Sequence, residues 1–488
     1  MVIESLKYKI LQQFGFAPTQ EQGQALDTFV SFLTDRDPQS VMILRGSAGT
    51  GKTSLSGAIV RTLLQIRQKV MLLAPTGRAA KVFSLGSGAP AYTIHRRIYR
   101  EKAFAGVDGQ FSLNDNLYTD TLFMVDEASM IANMGLGGTT FGSGCLLDDL
   151  VKFVYQGHND RLLLIGDKAQ LPPVGEEESP ALSASVMEGY GLKVYECDLN
   201  EVLRQSQSSG ILYNATLIRQ MITHDAVTGL PLIRFKGFAD IVMMPGAELV
   251  ESLGDSYHHV GMDETMVITR SNKRANIYNN GIRNMVLDRE EELSSGDMLM
   301  IVKNNYFWTE KEKKESGEGS AGAVPAFLAN GDRAKVLRVS NYIELYGFRF
   351  ATLLLQFPDY DDYEMQVTGM LDTLQSEAPA LTHEQQEELF RQVEEDYQHF
   401  VPLKADRMKS IRQDAYFNAL QIKYAYAVTC HKAQGGQWAH VYVDQGYMTD
   451  DMLTPDYIHW LYTAFTRATD KLFLVNWPKE QTSEPTNL

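Results

Sequence analysis

Gly46-Ser47-Ala48-Gly49-Thr50-Gly51-Lys52-Thr53 decides the fold of this chain. The stretch follows an apolar run at 41–45 that reads as a strand, and it opens a helical stretch, the context in which a glycine-rich loop wraps a phosphate. Glycines let backbone N–H groups turn inward, and the helix N-terminus adds positive potential. Lys52 then reaches the outer phosphates of a nucleotide held by residues 46–53, and Thr53 holds Mg²⁺. A plain glycine-rich turn would leave Lys52 without a purpose. The second half of the site is the apolar run 121–125, which ends in Asp126-Glu127-Ala128-Ser129. An acidic pair alone reads as a solvated strand end. After a buried strand and downstream of a phosphate loop, it puts Asp126 in the metal shell and Glu127 beside the attacking water. Together the two segments predict ATP hydrolysis.

Outward from this loop, short runs that are apolar throughout recur at 41–45, 70–74, 121–125 and 161–165, as parallel strands covered on both faces should. The series restarts at 266–269, 423–428, 440–443 and 471–475, so two α/β domains are expected. Between 296 and 357 the pattern changes to short alternating runs and turn signals such as Asn330-Gly331-Asp332, with strands expected at 333–339 and 348–355, which reads as a small inserted β-barrel. Thr382 and Gln385 form a capping box for a following helix whose stripe Leu389, Val393, Tyr397 and Phe400 reads as core packing. The glycine-rich stretch 135–144 and the tail after Trp477 read as mobile.

At 488 residues the chain exceeds one ordinary core, and 44% apolar with 22% charged residues is the balance of a soluble globular protein. No apolar run is long enough for a membrane helix, and the N-terminus lacks the blocks of a secretion signal. Cys145, Cys197 and Cys430 are scattered, which excludes a four-cysteine metal site and fits a reducing cytoplasm. The net charge of −16 means that a phosphate backbone must be held by local basic clusters rather than by the whole surface.

A series of short elements in order then resembles superfamily 1 helicases of the RecD-like and Dda-like branch. They are PTQEQ (18–22), the phosphate loop, APTGRAAK (74–81), TIHR (93–96), DEAS (126–129), GDKAQLPPVG (166–175), LNEVLRQ (199–205), TRSNKRANIYN (269–279), YAYAVTCHKAQG (424–435) and YTAFTRA (462–468). The resemblance implies two RecA-like domains, the first at 1–200 and the second at 201–297 with 420–488. A β-hairpin pin would be inserted in the first at 100–120. A small SH3-like barrel with a helical extension would be inserted in the second at 298–419. It also implies that Gln22 reads adenine, Gln170 senses the γ-phosphate, and Arg204 and Arg467 reach that phosphate from the second domain. Gly77 departs from relatives that carry a larger side chain there.

For the polymer, Thr76, Arg78 and Lys81 sit just past one strand end, and Thr93, His95 and Arg96 lie in the next such element. Hydroxyls, cations and helix N-termini at these places suit phosphate oxygens. Thr429 and His431 resemble residues that couple the strand to the ATP site. Asp108-Gly109 between short runs is a type I′ hairpin signal, and it falls where relatives insert the pin. Phe104 and Phe111 would there face the separating bases, or pack inward in an ordinary surface hairpin. The basic run Arg96, Arg97, Arg100, Lys102 leads into it. The expected partners are single-stranded DNA and duplex junctions, with no membrane. The direction, 5′ to 3′, comes from the resemblance alone. Two alternatives stay open: a translocase or remodeller, RNA included, and a binding module switched by nucleotide.

Overall fold

The computed structural model describes the chain except residues 1, 105–108, 136–141, 202–207, 224–228, 317–324, 326, 402, 450–451 and 484–488; for 2–4, 101–104, 109–111, 223 and 316 it describes the backbone only. By its contacts the chain falls into two units, Met1–Met244 with Ala433–Ala439 and Tyr447–Leu488, and Pro245–Lys432 with His440–Gly446.

In the first unit the strands are β1 (Ser40–Gly46), β2 (Lys69–Ala74), β3 (Ala91–Thr93), β4 (Tyr99–Phe104), β5 (Gly109–Leu113), β6 (Thr121–Val125), β7 (Arg161–Gly166) and β8 (Lys193–Leu199). Six of them form one sheet in the order β3-β2-β6-β7-β1-β8, paired in parallel. Alternate residues of each central strand enter opposite faces, because side chains along a strand alternate. Met42, Leu44, Met124, Leu163 and Ile165 pack with the helices Gln20–Leu33 and Lys52–Gln65. Val41, Ile43, Phe123, Leu162 and Leu164 pack on the other side with Leu147, Leu150 and Val154 of the helix Leu146–Gln156. Each such side chain, fully buried, contributes about 1.5–3 kcal/mol relative to exposure. The four strands expected from the sequence are the central ones. The two edges, β3 and β8, went unread: one is three residues long, and the other carries charge along its open side.

The expected hairpin is β4 paired antiparallel with β5, with Tyr99 opposite Leu113, Phe104 opposite Gly109 and a register shift between Glu101 and Ala103. Gly109 therefore already has a strand partner. The connection runs through 105–108 rather than closing on Asp108-Gly109, and those four residues lie outside the described ones. Also in this unit, Ile241–Met244 pairs in parallel with Ala468–Val475.

In the second unit, Thr265–Thr269 is flanked in parallel by Ala427–Thr429 and by residues 440–444. The inserted barrel is closed, from the strands Met298–Ile301, Arg333–Leu345, Phe348–Phe357, Tyr363–Met370 and Leu420–Tyr424. The single strand expected at 423–428 is thus two, the first closing the barrel and the second joining the parallel sheet. Asn279 makes the break: its Oδ1 accepts from the N–H groups of Tyr426 (3.1 Å) and Ala427 (2.8 Å), while the Tyr426 hydroxyl donates to Asp297 at 2.7 Å. The helix His383–Gln398 starts at the expected capping box of Thr382 and Gln385. Leu389 and Val393 enter a core with Phe350 and Met370, and Tyr397 packs against it. Phe400 does not follow them; it lies past the helix end and is 79% exposed. Of the glycine-rich stretch, 136–141 lie outside the described residues.

Candidate nucleotide site and nucleic-acid interface

β1 delivers the loop at Gly46 and the helix Lys52–Gln65 carries it away. Gly49 and Gly51 hold φ values of +77° and +80°, a region that L side chains avoid. A Cβ on Gly46 would come within 2.8 Å of the Lys52 side chain. The Lys52 ammonium donates to the carbonyl oxygens of Gly46 and, at 3.0 Å, of Ser47. Gln22, buried at the start of the helix Gln20–Leu33, uses both ends of its amide: Nε2 donates to Thr50 O at 2.9 Å and Oε1 accepts from Thr19 N at 3.0 Å. That ties the helix to the loop.

Asp126 directly follows β6, and Glu127 comes next with φ +52°, a left-handed backbone that costs a residue with a Cβ on the order of 1–3 kcal/mol. The Glu127 N–H donates to Asp126 Oδ1 at 2.9 Å. Burial pushes the Asp126 carboxyl up to about 7, the neighbouring Glu127 adds to this, and the charge of Lys52 pulls the other way. A low-dielectric acid that feels Lys52 is what a divalent cation at this place would neutralise.

The segment after β7 is held by one face of the helix Pro455–Phe465. The His459 Nδ1 lies 2.9 Å from Ala169 O. The Tyr462 hydroxyl donates to Asp167 Oδ2 at 2.6 Å and accepts from the Ala48 N–H at 2.9 Å. The Thr463 Oγ1 accepts from Leu171 N at 2.8 Å, and Gln434 Nε2 donates to Leu171 O at 2.7 Å. Gln170, inside this clamp, is 5% exposed, and its side-chain oxygen is buried with no hydrogen-bond donor among the described residues. Arg219, on the helix Gly210–Thr223, donates to Ser47 Oγ. Arg467 is 2% exposed, and its guanidinium donates to Thr463 O, Gly436 O and Thr466 Oγ1 at 3.0, 3.0 and 3.1 Å. Arg204 lies outside the described residues. Lys52, Asp126, Glu127 and Gln170 are thus carried on neighbouring strand ends of one sheet. Sequence reasoning missed Arg219, His459, Tyr462, Thr463 and Gln434. The spacing 459, 462, 463, one face of a helix, was the available signal for three of them.

Thr76 and Thr93 cap short helices: the first accepts from Ala79 N at 3.2 Å, the second from Arg96 N at 3.4 Å. The Thr76 hydroxyl stands at a helix N-terminus just past β2, and Thr93 is itself the last residue of β3 and caps the helix that follows. Arg78 donates to Gln437 O and lies 4.6 Å from the Trp438 ring, while Lys81 is half-buried on the same helix. His95 is packed 5.7 Å from the Tyr99 ring, and burial pushes its pKa down to about 4 against the pull of Asp149, so it is neutral at pH 7. Arg96 and Arg97 lie 5.2 and 3.9 Å from the Tyr92 ring. The side chains of Phe104 and Phe111 lie outside the description; their backbones are in the hairpin. In the second unit, Thr429 ends the strand beside Thr269, and His431 is exposed in the turn Cys430–Ala433. Among the described residues no helix is long and apolar enough to cross a membrane.

An AAA domain matches residues 17–229, and a UvrD-like helicase C-terminal domain matches residues 424–475. The ATP-dependent RecD2 DNA helicase of Deinococcus radiodurans is 30% identical over 157 residues, 32% of this chain and 18% of that protein. The ATP-dependent DNA helicase Dda of Enterobacteria phage T4 is 25% identical over 267 residues, 53% of this chain and 55% of that protein. The chain therefore spans under two thirds of both relatives. A solved structure of Pif1 helicase from Bacteroides in complex with ADP-AlF3 and single-stranded DNA aligns over 96% of this chain and 95% of its own, with a TM-score of 0.45 and 13% identity. The two domain matches, with RecD2 and Dda among the relatives, bear out the resemblance to superfamily 1 helicases of the RecD-like and Dda-like branch.

Proposed function

We propose that this chain, which joins an AAA domain to a UvrD-like helicase C-terminal segment, is an ATP-dependent DNA helicase that moves 5′ to 3′ along single strands. The observation that carries the reading is the meeting of three features at the strand ends of one sheet: the Lys52 loop, the Asp126-Glu127 pair and the buried carbonyl of Gln170, which has no partner among the described residues. In this reading residues 46–53 hold the triphosphate, and Thr53 and Asp126 hold Mg²⁺, which neutralises phosphate charge. Glu127 polarises the attacking water, and Gln170 senses the γ-phosphate and links hydrolysis to domain movement. Gln22 lies at the base, and Arg204 and Arg467 neutralise charge that develops on the γ-phosphate. An arginine in this role is typically worth on the order of 10³–10⁵ in rate.

The division proposed is a first RecA-like domain at 1–200, a second at 201–297 with 420–488, and an inserted barrel at 298–419. Closure of the two RecA-like domains on ATP, and release on hydrolysis, would supply the step. Thr76, Arg78, Lys81, Thr93, His95 and Arg96 would track the DNA backbone, Thr429 and His431 would couple the strand to the ATP site, and the hairpin with Phe104 and Phe111 would split the duplex. The relatives' names support a DNA substrate, and the protein would work in the cytoplasm. The test is strand separation on duplexes with a single 5′ or 3′ tail. Opening only from the 5′ tail, and only with ATP and Mg²⁺, is the expected result. Opening from the 3′ tail overturns the direction, and ATP turnover without opening favours a translocase.

A further inference from the structure

Three motifs far apart in the chain meet at one phenol. Tyr462 is buried, and its hydroxyl has two neighbours: the carboxylate of Asp167, to which it donates at 2.6 Å, and the backbone N–H of Ala48, from which it accepts at 2.9 Å. Ala48 is in the phosphate loop, and Asp167 opens the turn that carries Gln170. Asp167 shapes that turn directly, since its Oδ1 accepts from Ala169 N at 3.0 Å and its carbonyl accepts from Gln170 N at 3.3 Å. His459, one turn before Tyr462, and Thr463, one turn after His459, hold the next two positions through Ala169 O and Leu171 N. The turn is thus gripped at alternate residues, 167, 169 and 171, while the side-chain oxygen of Gln170 has no partner among the described residues. Burial and the adjacent Asp167 raise the Tyr462 pKa well above the ordinary phenol value, so the group stays protonated and keeps donating.

We propose that Tyr462 is a positioning residue for ATP hydrolysis: its hydroxyl holds the phosphate loop at Ala48 and the Asp167 turn in one fixed arrangement, and so sets Gln170 against the γ-phosphate. The role rests on the hydrolase reading above. The hydroxyl does not bond the nucleotide; it fixes the distance between the loop that binds phosphate and the amide that reads it. Misplacing a catalytic group by about an ångström costs up to about 10²-fold in rate, while binding through Lys52 and the loop amides is little affected. Loss of the hydroxyl should therefore appear in kcat rather than in KM.

The test is Tyr462→Phe in the full chain, which keeps the ring and removes the hydroxyl. Two readouts are measured: steady-state ATP hydrolysis with single-stranded DNA, and hydrogen exchange at the Ala48 amide without nucleotide. The expected result is a fall in kcat of about 10- to 100-fold with KM for ATP within about threefold, together with exchange at Ala48 faster by about tenfold. Thr463→Val should show the same kcat-selected loss, and Thr463→Ser should restore it. Unchanged exchange at Ala48, or a raised KM with kcat kept, overturns the proposal. If the wild type turns over no ATP, the hydrolase reading fails, and the role proposed for Tyr462 in hydrolysis is overturned with it. Ala48 exchange then reports separately on whether the phenol is placed as described.

Discussion

At the residue scale, the turn Asn330-Gly331-Asp332 shows how burial sets a pH response. Gly331 takes φ +99°, and Asp332, 2% exposed, accepts from Ala329 N at 2.7 Å and from the Tyr360 hydroxyl at 2.6 Å. Burial pushes its carboxyl up to about 7; the bonds from Tyr360 and Ala329 oppose this, and Asp359 adds to it. The folded chain therefore keeps a proton between about 4 and about 7 that the unfolded chain, with an ordinary value of 3.8, releases. The stability tied to this proton is full below the lower value and is lost as pH rises through about 7. Asp332→Asn keeps an acceptor without the charge. Its melting temperature should match that of the wild type at or below pH 3.8 and exceed it at pH 8; equal melting at pH 8 would contradict the assignment.

At the scale of elements, the hairpin makes the sharpest prediction. Replacing residues 102–111 with a short glycine link, from below the tip to the far arm, should cut strand separation to under about a tenth of wild type while DNA-stimulated ATP turnover stays within about twofold. Loss of both activities together would mean that the hairpin supports the ATPase and not the splitting of the duplex. This element also marks how far the sequence could be read. Asp-Gly gave its presence and place, but register belongs to pairing across strands, and Gly109 was drawn into β5 opposite Phe104. The central strands of the first sheet were legible because both faces are buried, so each is apolar throughout. Edge strand β8 was not legible, since Arg45 pairs with Glu196 and Asp198 there and the apolar pattern is broken. The run 423–428 reads as one strand from hydropathy alone; that it serves two sheets follows from Asn279, about 150 residues earlier. In the site, the loop and acidic pair were visible as local motifs. The grip of His459, Tyr462 and Thr463 on residues 167–171 was not, because it is tertiary.

At the scale of the whole molecule, the account must reconcile a chain of net charge −16 with a polyanionic track. Charge so far from zero keeps a protein soluble and repels nucleic acid at long range, so binding has to come from short-range basic groups such as Arg96, Arg97 and Arg100 around the first strand ends. In the motor proposed, the ATP site answers to the strand. The measurement that tests this most directly is ATP turnover by the full chain with single-stranded DNA, with single-stranded RNA and with no polymer, using Lys52→Ala as the blank. The account predicts that DNA raises turnover by at least about tenfold over no polymer, and that Lys52→Ala, folded as judged by circular dichroism, shows none. Saturable ATP binding with negligible turnover, or turnover equal with and without a strand, would contradict it.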